Sequence, residues 1–191
     1  YQNSLLIKPN AEKAIYYLEL ASKHNESRAF YDLGVIYCEG ILCPVNYEKA
    51  FYYFKRSADL NFPLAQYNVG IFYLNGRYVN KDIQKGLYYI ELSAKQNELF
   101  SLLTLGKYYL TNNIEKSIYY YNLAAKQNSE EAFLNLGMIY HSGTQVPQDI
   151  HRAIYYYRHI PNNGFAAYLL GSIYFTGTEG FPRDYKKAVQ Y

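Results

Sequence analysis

The sequence predicts an all-α protein, an α/α solenoid built from helix pairs, and three recurring features predict it. A Leu/Val-Gly pair with an aromatic three residues later appears at Leu33-Gly34…Tyr37, Val69-Gly70…Tyr73, Leu105-Gly106…Tyr109, Leu136-Gly137…Tyr140 and Leu170-Gly171…Tyr174. Those glycines are 36, 36, 31 and 34 residues apart, the period of helix–turn–helix repeats. A small residue then precedes a run of tyrosines at Ala14, Ala50, Gly86, Ser117, Ala153 and Ala188. Four positions before each small residue stands Asn10, Asn46, Asp82, Asn113, Asp149 or Asp184, residue types that accept the orphan N–H groups at a helix start.

Taken in order, the chain opens with a helix of the second type, B, capped by Asn10 and running to Asn25. The first helix of a pair, A, spans about Ala29 to Glu39 and ends at Gly40, where a left-handed residue stops many helices. Equivalent A helices end at Gly76, Asn112, Gly143 and Gly177. Helix B ends eleven positions after its small residue, at Asn25, Asn61, Asn97, Asn128 and Gly164. The repeats fall at about 1–25 (partial), 29–61, 65–97, 101–128, 132–163 and 166–191 (partial), a single array over the whole chain. In the fourth unit the link from Asn112 to Ser117 is five residues shorter than that from Gly40 to Ala50. Its cap Asn113 remains, which predicts a tight turn and an intact helix. Tyr191 falls inside helix B of the last unit.

Composition narrows the function. Of 191 residues 50% are hydrophobic and 18% charged, so the chain buries a core and is not a disordered tail. A net charge of +3 with dispersed cations argues against nucleic acid as a partner. No run of about eighteen apolar residues exists, so no segment inserts directly into a membrane. The opening YQNSLL lacks Met and an apolar signal core; the expectation is a piece of a longer chain. Cys38 and Cys43 are too few for a zinc site and leave two states open, a local disulfide or free thiols. Asn25-Glu26-Ser27 is an N-glycosylation acceptor triplet, a hint of the secretory route.

The stretch Ala29-x3-Leu33-Gly34-x2-Tyr37-x2-Gly40 followed by Asn46-Tyr47-Glu48-Lys49-Ala50-x2-Tyr53-Phe54 resembles a Sel1-like repeat. The segment 132–153, AFLNLGMIYHSGTQVPQDIHRA, resembles it still more closely. The resemblance implies a right-handed α/α superhelix related to tetratricopeptide arrays, with an adaptor or scaffold role. It further implies secretory-pathway protein quality control, bacterial secreted or host-interacting proteins, or activators of membrane enzymes, without choosing among them. With the glycosylation triplet it leans towards the secretory pathway and leaves the cytosol open.

Angular sorting at about 100° per residue assigns the faces. On helix A the arc with Leu33, Gly34, Ile36 and Tyr37 is core, the glycine letting helix B approach. The opposite arc carries polar and aromatic rows, and in helix-pair solenoids it lines the concave side. Tyr31, Asp32, Glu39, Tyr67, Asn68, Asn75, Thr104, Lys107, Asn135, Ser142 and Tyr168 are the candidate partner-binding residues. Such a face suits an extended peptide or a partner helix, amides and hydroxyls meeting its backbone and apolar rows its side chains. On helix B the second tyrosine of each pair (Tyr17, Tyr53, Tyr89, Tyr120, Tyr156) is assigned to the core. The first (Tyr16, Tyr52, Tyr88, Tyr119, Tyr155) points away, where the family usually has a polar residue. Three readings stand for that row: a convex aromatic stripe for a partner, a seam between repeats, or compositional drift.

No constellation suggests catalysis. His24, His141, His151 and His159 are dispersed and meet no cysteine or carboxylate at ligand spacing. Cys38 lacks a neighbouring base, and no glycine-rich phosphate loop occurs. The expectation is a non-enzymatic scaffold with no cofactor and no metal; an enzyme, such as a hydrolase, would need its site outside these residues.

Overall fold

The computed structural model describes residues 3–177 and 181–191, with side chains from Ala11 onward. All its regular elements are helices: α1 (Asn3–Ser22), α2 (Ser27–Glu39), α3 (Tyr47–Asp59), α4 (Pro63–Asn75), α5 (Ile83–Ala94), α6 (Leu99–Tyr109), α7 (Ile114–Ala125), α8 (Glu130–Ser142), α9 (Ile150–Arg158), α10 (Gly164–Thr176) and α11 (Tyr185–Ala188). Even-numbered helices are A and odd-numbered ones B. The chain divides into two compact units, Tyr1–Ser101 and Leu102–Tyr191.

The start signals act as the sequence predicts. Side chains of Asn46, Asp82, Asn113, Asp149 and Asp184 each accept from the backbone N–H three residues on, at 2.9–3.1 Å. Each such cap contributes about 1 kcal/mol. Asn25, Asn61, Asn97 and Asn128 all adopt left-handed φ of 58–63°, which Asn tolerates better than a branched residue. Gly40, Gly76 and Gly143 end their A helices in the same region.

Five boundaries differ. Helix α1 runs unbroken through Asn10, so no helix starts there; the Asn10 side chain lies outside the described residues. Gly164 opens α10 with Asn163 as its cap, because α9 already stops at Arg158. Helix α6 ends at Tyr109, three residues before Asn112. Helix α11 ends at Ala188, leaving Tyr191 outside it. All five A helices begin two residues before their small residue, at Ser27, Pro63, Leu99, Glu130 and Gly164, since the first turn needs no buried side chain.

The largest correction concerns the tyrosine pairs. The second tyrosines Tyr53, Tyr89, Tyr120 and Tyr156 are only half-buried, and Tyr17 is 64% exposed. The fully buried residue is the next one, Phe54, Ile90, Tyr121 or Tyr157, at 0–1% exposure. Positions three and four after the small residue lie about 100° apart, so only one of them can point straight at helix A. It presses on the glycine in the middle of that helix: a Cβ on Gly34 would lie 2.5 Å from Phe54 Cδ1. Gly171 is different, with Ala188 O at 3.5 Å and Tyr191 Cβ at 3.8 Å, ordinary contact distances.

Buried hydroxyls tie pairs together. Ser57 donates to Ser27 O, and Ser93 to Pro63 O, both at 2.7 Å and both fully buried. Ser117 donates to Gly106 O in the second unit.

Replacing Gly34 with Ala should destabilise the protein by about 2 kcal/mol through overpacking on Phe54. Gly171→Ala should instead be neutral or stabilising by up to about 1 kcal/mol, the helix-propensity difference. Urea unfolding of both variants checks the contrast.

Candidate interaction surfaces

Each helix pair closes around one tyrosine near the end of helix A. Its carbonyl accepts from the N–H of the helix-B cap: Asn46 to Tyr37, Asp82 to Tyr73, Asn113 to Tyr109, Asp149 to Tyr140 and Asp184 to Tyr174, at 2.8–3.0 Å. Its ring stacks on the second tyrosine of helix B, Tyr37 on Tyr53, Tyr73 on Tyr89, Tyr109 on Tyr120 and Tyr140 on Tyr156, with interplanar angles of 8–11°. Tyr191 completes the series, stacked on Tyr174 at 3°. A cation lies over each A-helix ring at 4.8–5.7 Å: Lys49, Lys85, Lys116, Arg152 and Lys187. The sequence carries a signal for it, Lys or Arg immediately before every small residue, which pattern reading passed over because the position is exposed.

The second tyrosines also join neighbouring repeats. Tyr53 donates to Glu19 Oε1 at 3.5 Å, Tyr156 donates to Asn122 Oδ1 at 3.2 Å, and Arg158 Nε donates to the Tyr191 hydroxyl at 3.3 Å. The seam role expected of the first tyrosines thus falls to the second. The first tyrosines stand edge-on against them at 5.2–5.4 Å and remain 54–60% exposed.

Several candidate residues on helix A are engaged locally. In the first unit Asp32 pairs with Arg28 at 2.9 Å, and Asn68 donates its amide to Leu64 O at 2.8 Å. Tyr31 is wedged between Phe54 and Phe62, its centroid 5.8 and 5.2 Å from theirs, and burial raises its phenol pKa. Tyr67 meets the exposed Phe100 at 5.9 Å, while Glu39 and Asn75 are exposed. In the second unit Thr104 is half-buried, Lys107 exposed, and Tyr168 is 66% exposed and stacked on Phe165. Asn135, whose amide donates to Glu131 O, and Ser142 come together in one cleft. Leu110, Ile114, exposed Met138, Ile139, Thr144 and Gln145 complete that cleft, of about 220 Å³.

Cys38 and Cys43 are free thiols, half-buried against the core around Leu33 and Phe54. Burial pushes the Cys38 thiol up, opposed by nearby Arg77, which keeps it protonated at neutral pH. His141 is held down by desolvation beside Tyr157, and His159 stacks on Phe133 at 4.7 Å. Among the described residues no three His, Cys, Asp or Glu side chains gather at metal-binding distances. No described helix is long and apolar enough to cross a membrane.

Stacked helix pairs with this glycine contact and tyrosine clamp define an α/α repeat protein. The Sel1 repeat family model matches residues 1–26, 27–62, 63–98, 96–129, 131–158 and 164–191, and the chain belongs to that family. Its members are generally protein-interaction scaffolds and typically non-catalytic. A Sel1 repeat protein from Oxalobacter formigenes is 28% identical, with a TM-score of 0.76 over 96% of this chain and 80% of that one. The c5321 protective antigen of uropathogenic Escherichia coli strains, described as displaying an SLR fold, is 21% identical with a TM-score of 0.82 over 92% of this chain. The present chain spans 39% of that antigen's length. Helicobacter pylori cysteine rich protein B is 28% identical with a TM-score of 0.52, covering 65% of this chain and 93% of that one. No curated protein matches the sequence.

Burial moves Tyr53 and Tyr121 from a pKa of 10.0 up to about 12, Glu19 and Glu131 respectively adding to the effect. The neutral phenol is the form the fold favours. Its stabilisation is therefore complete below pH 10 and lost as pH rises through about 12. Urea midpoints followed across this window, with tyrosinate absorbance, should fall together with ionisation.

Proposed function

We propose that the protein is a non-enzymatic scaffold that takes a peptide segment of a protein partner on its helix-A face. The observation that carries this reading is the cleft of Asn135, Met138 and Ser142. The first unit has the same place in the repeat, and there it is full. Ile114 corresponds to Tyr47, Ile139 to Phe72 and Thr144 to Arg77. Tyr47 packs on Phe72 at 6.3 Å with Arg77 over its ring at 4.8 Å. Smaller side chains at the second position leave room, and Tyr47 beneath Arg77 supports an occupant that brings an aromatic side chain beneath a polar or cationic rim. Amide and hydroxyl groups at that rim match the backbone of an extended peptide.

The narrower role of adaptor in secretory-pathway quality control rests on the family resemblance. Asn25 of its glycosylation triplet sits on the exposed turn between α1 and α2, accessible to modification.

The paired change Ile114→Tyr, Thr144→Arg copies the filled arrangement into the cleft. It should leave or raise the thermal midpoint while weakening partner capture roughly tenfold, the effect of blocking one anchor pocket. A companion change, Asn68→Ala with Asn135→Ala, removes amides bonded within their own helices and should alter stability by only about 0.5 kcal/mol. Equal recovery of every partner by wild type and both variants would sink the helix-A proposal.

A further inference from the structure

Counting from the small residue of each helix B singles out two repeats. At positions five and six α3 carries Lys55 and Arg56, and α9 carries Arg158 and His159. The other B helices have Glu19 and Leu20, Glu91 and Leu92, or Asn122 and Leu123 there. The same two repeats are followed by a loop with an aromatic residue, Tyr78 or Phe181. The loops after α2, α6 and α8 have none. Cations on the helix and a ring on the following loop therefore occur together or not at all.

The structure shows why they go together. In the first unit Tyr52, Lys55, Arg56, Phe51 and Tyr78 line one groove of about 820 Å³. In the second Tyr155, Arg158, His159, Ile154 and Phe181 line its counterpart, of about 420 Å³. The exposed first tyrosine forms a wall in both, at 54% and 57% exposure. Phe51 and Tyr78 meet at 6.0 Å, and Phe181 lies 5.5 Å from Tyr174. Tyr78 holds its place at a φ of 63°, in the left-handed region that side chains bulkier than Asn seldom enter. Desolvation and the neighbouring Glu48 raise its phenol pKa.

Glu48 also lines the first groove, and the cations differ in what they already meet. Lys55 pairs with Asp59, but Arg56, Arg158 and His159 form no ion pair among the described residues. Arg56 lies 5.3 Å from the Phe30 ring, and Arg158 donates to the hydroxyls of Tyr174 and Tyr191. His159 Nδ1 is 2.8 Å from Tyr155 O. A carbonyl has no proton to give, so Nδ1 holds it and Nε2 is left to accept or, once protonated, to donate.

We propose that these two grooves on the helix-B face accept acidic peptide segments, the cations taking carboxylates and the tyrosine and loop rings taking the bulky side chains between them. Charge complementarity favours this occupant. Lys49, Lys55 and Arg56 in one groove and Arg158 beside His159 in the other, in a chain of net charge +3, cannot neutralise the several phosphates that nucleic-acid affinity requires. The inference rests on the scaffold reading but concerns the opposite helix of each pair.

The test uses a labelled peptide of Glu-Glu-Phe triplets, its Gln-Gln-Phe counterpart and an oligothymidylate, with binding read by fluorescence anisotropy. The Glu peptide should bind, weakened by salt, and the Gln peptide roughly tenfold less tightly. Arg56→Gln with His159→Gln should cost a similar factor while leaving the far-ultraviolet circular dichroism unchanged. Tyr78→Gly relieves the strained backbone, so it should keep or raise the thermal midpoint yet weaken the peptide. Equal binding of the Gln peptide, tighter binding of oligothymidylate, or no effect of these variants would overturn the grooves. The cleft-filling pair Ile114→Tyr, Thr144→Arg separates the two readings. If it abolishes Glu-peptide binding and the groove variants do not, the grooves fail and the helix-A cleft stands.

Discussion

The tyrosine at the end of each helix A is held from three sides, and the geometry of every pair follows from that hold. Its carbonyl takes the cap N–H of the next helix, and its ring meets both the helix-B tyrosine and a Lys or Arg. The cation is itself positioned by the cap, because its own backbone N–H donates to the cap side chain. A stacked ring pair contributes about 0.5–1.5 kcal/mol beyond burial and an exposed cation–π contact about 0.5–1 kcal/mol. Neither is large, but both recur in every repeat, and together they fix the distance and rotation between the two helices.

That hold explains how the array tolerates a deletion. Between the clamped tyrosine and the cap the chain runs from Tyr37 to Asn46 in one repeat and only from Tyr109 to Asn113 in the shortened one. The same hydrogen bond closes both, at 2.8 Å. The loop is free to vary because it carries none of the closure. Variation there changes surfaces instead: Tyr78 and Phe181 stand on loops that are long enough to turn a ring back over helix B.

Side-chain size varies between repeats at the positions that border helix A. Beside α4, Tyr47 packs on Phe72 with Arg77 over its ring. Where Ile114 and Thr144 stand instead, a cleft opens beside Asn135 and Ser142. The framework is common to both places, so single side-chain sizes set the difference.

The sequence by itself determined the helices, their caps, their left-handed ends and the family, because each is written in residues within one turn of the feature. Asn46, Asp82 and Gly40 needed no distant partner to be read. Which tyrosine is buried was decided only by the tertiary structure. Adjacent positions on helix B differ by about 100°, and the pattern admits either; the glycine of helix A selects Phe54 over Tyr53 because only there can a ring reach its backbone. The same limit applies to the candidate binding residues. Sorting by angle placed Asn68 and Asn135 on one face, but the cleft beside Asn135 depends on Ile114, a residue of the preceding helix B. The first tyrosines gained a setting in the same way. Tyr52 and Tyr155 look alike in sequence to Tyr88 and Tyr119, and what distinguishes them is a ring and a cation brought up from another turn and another loop.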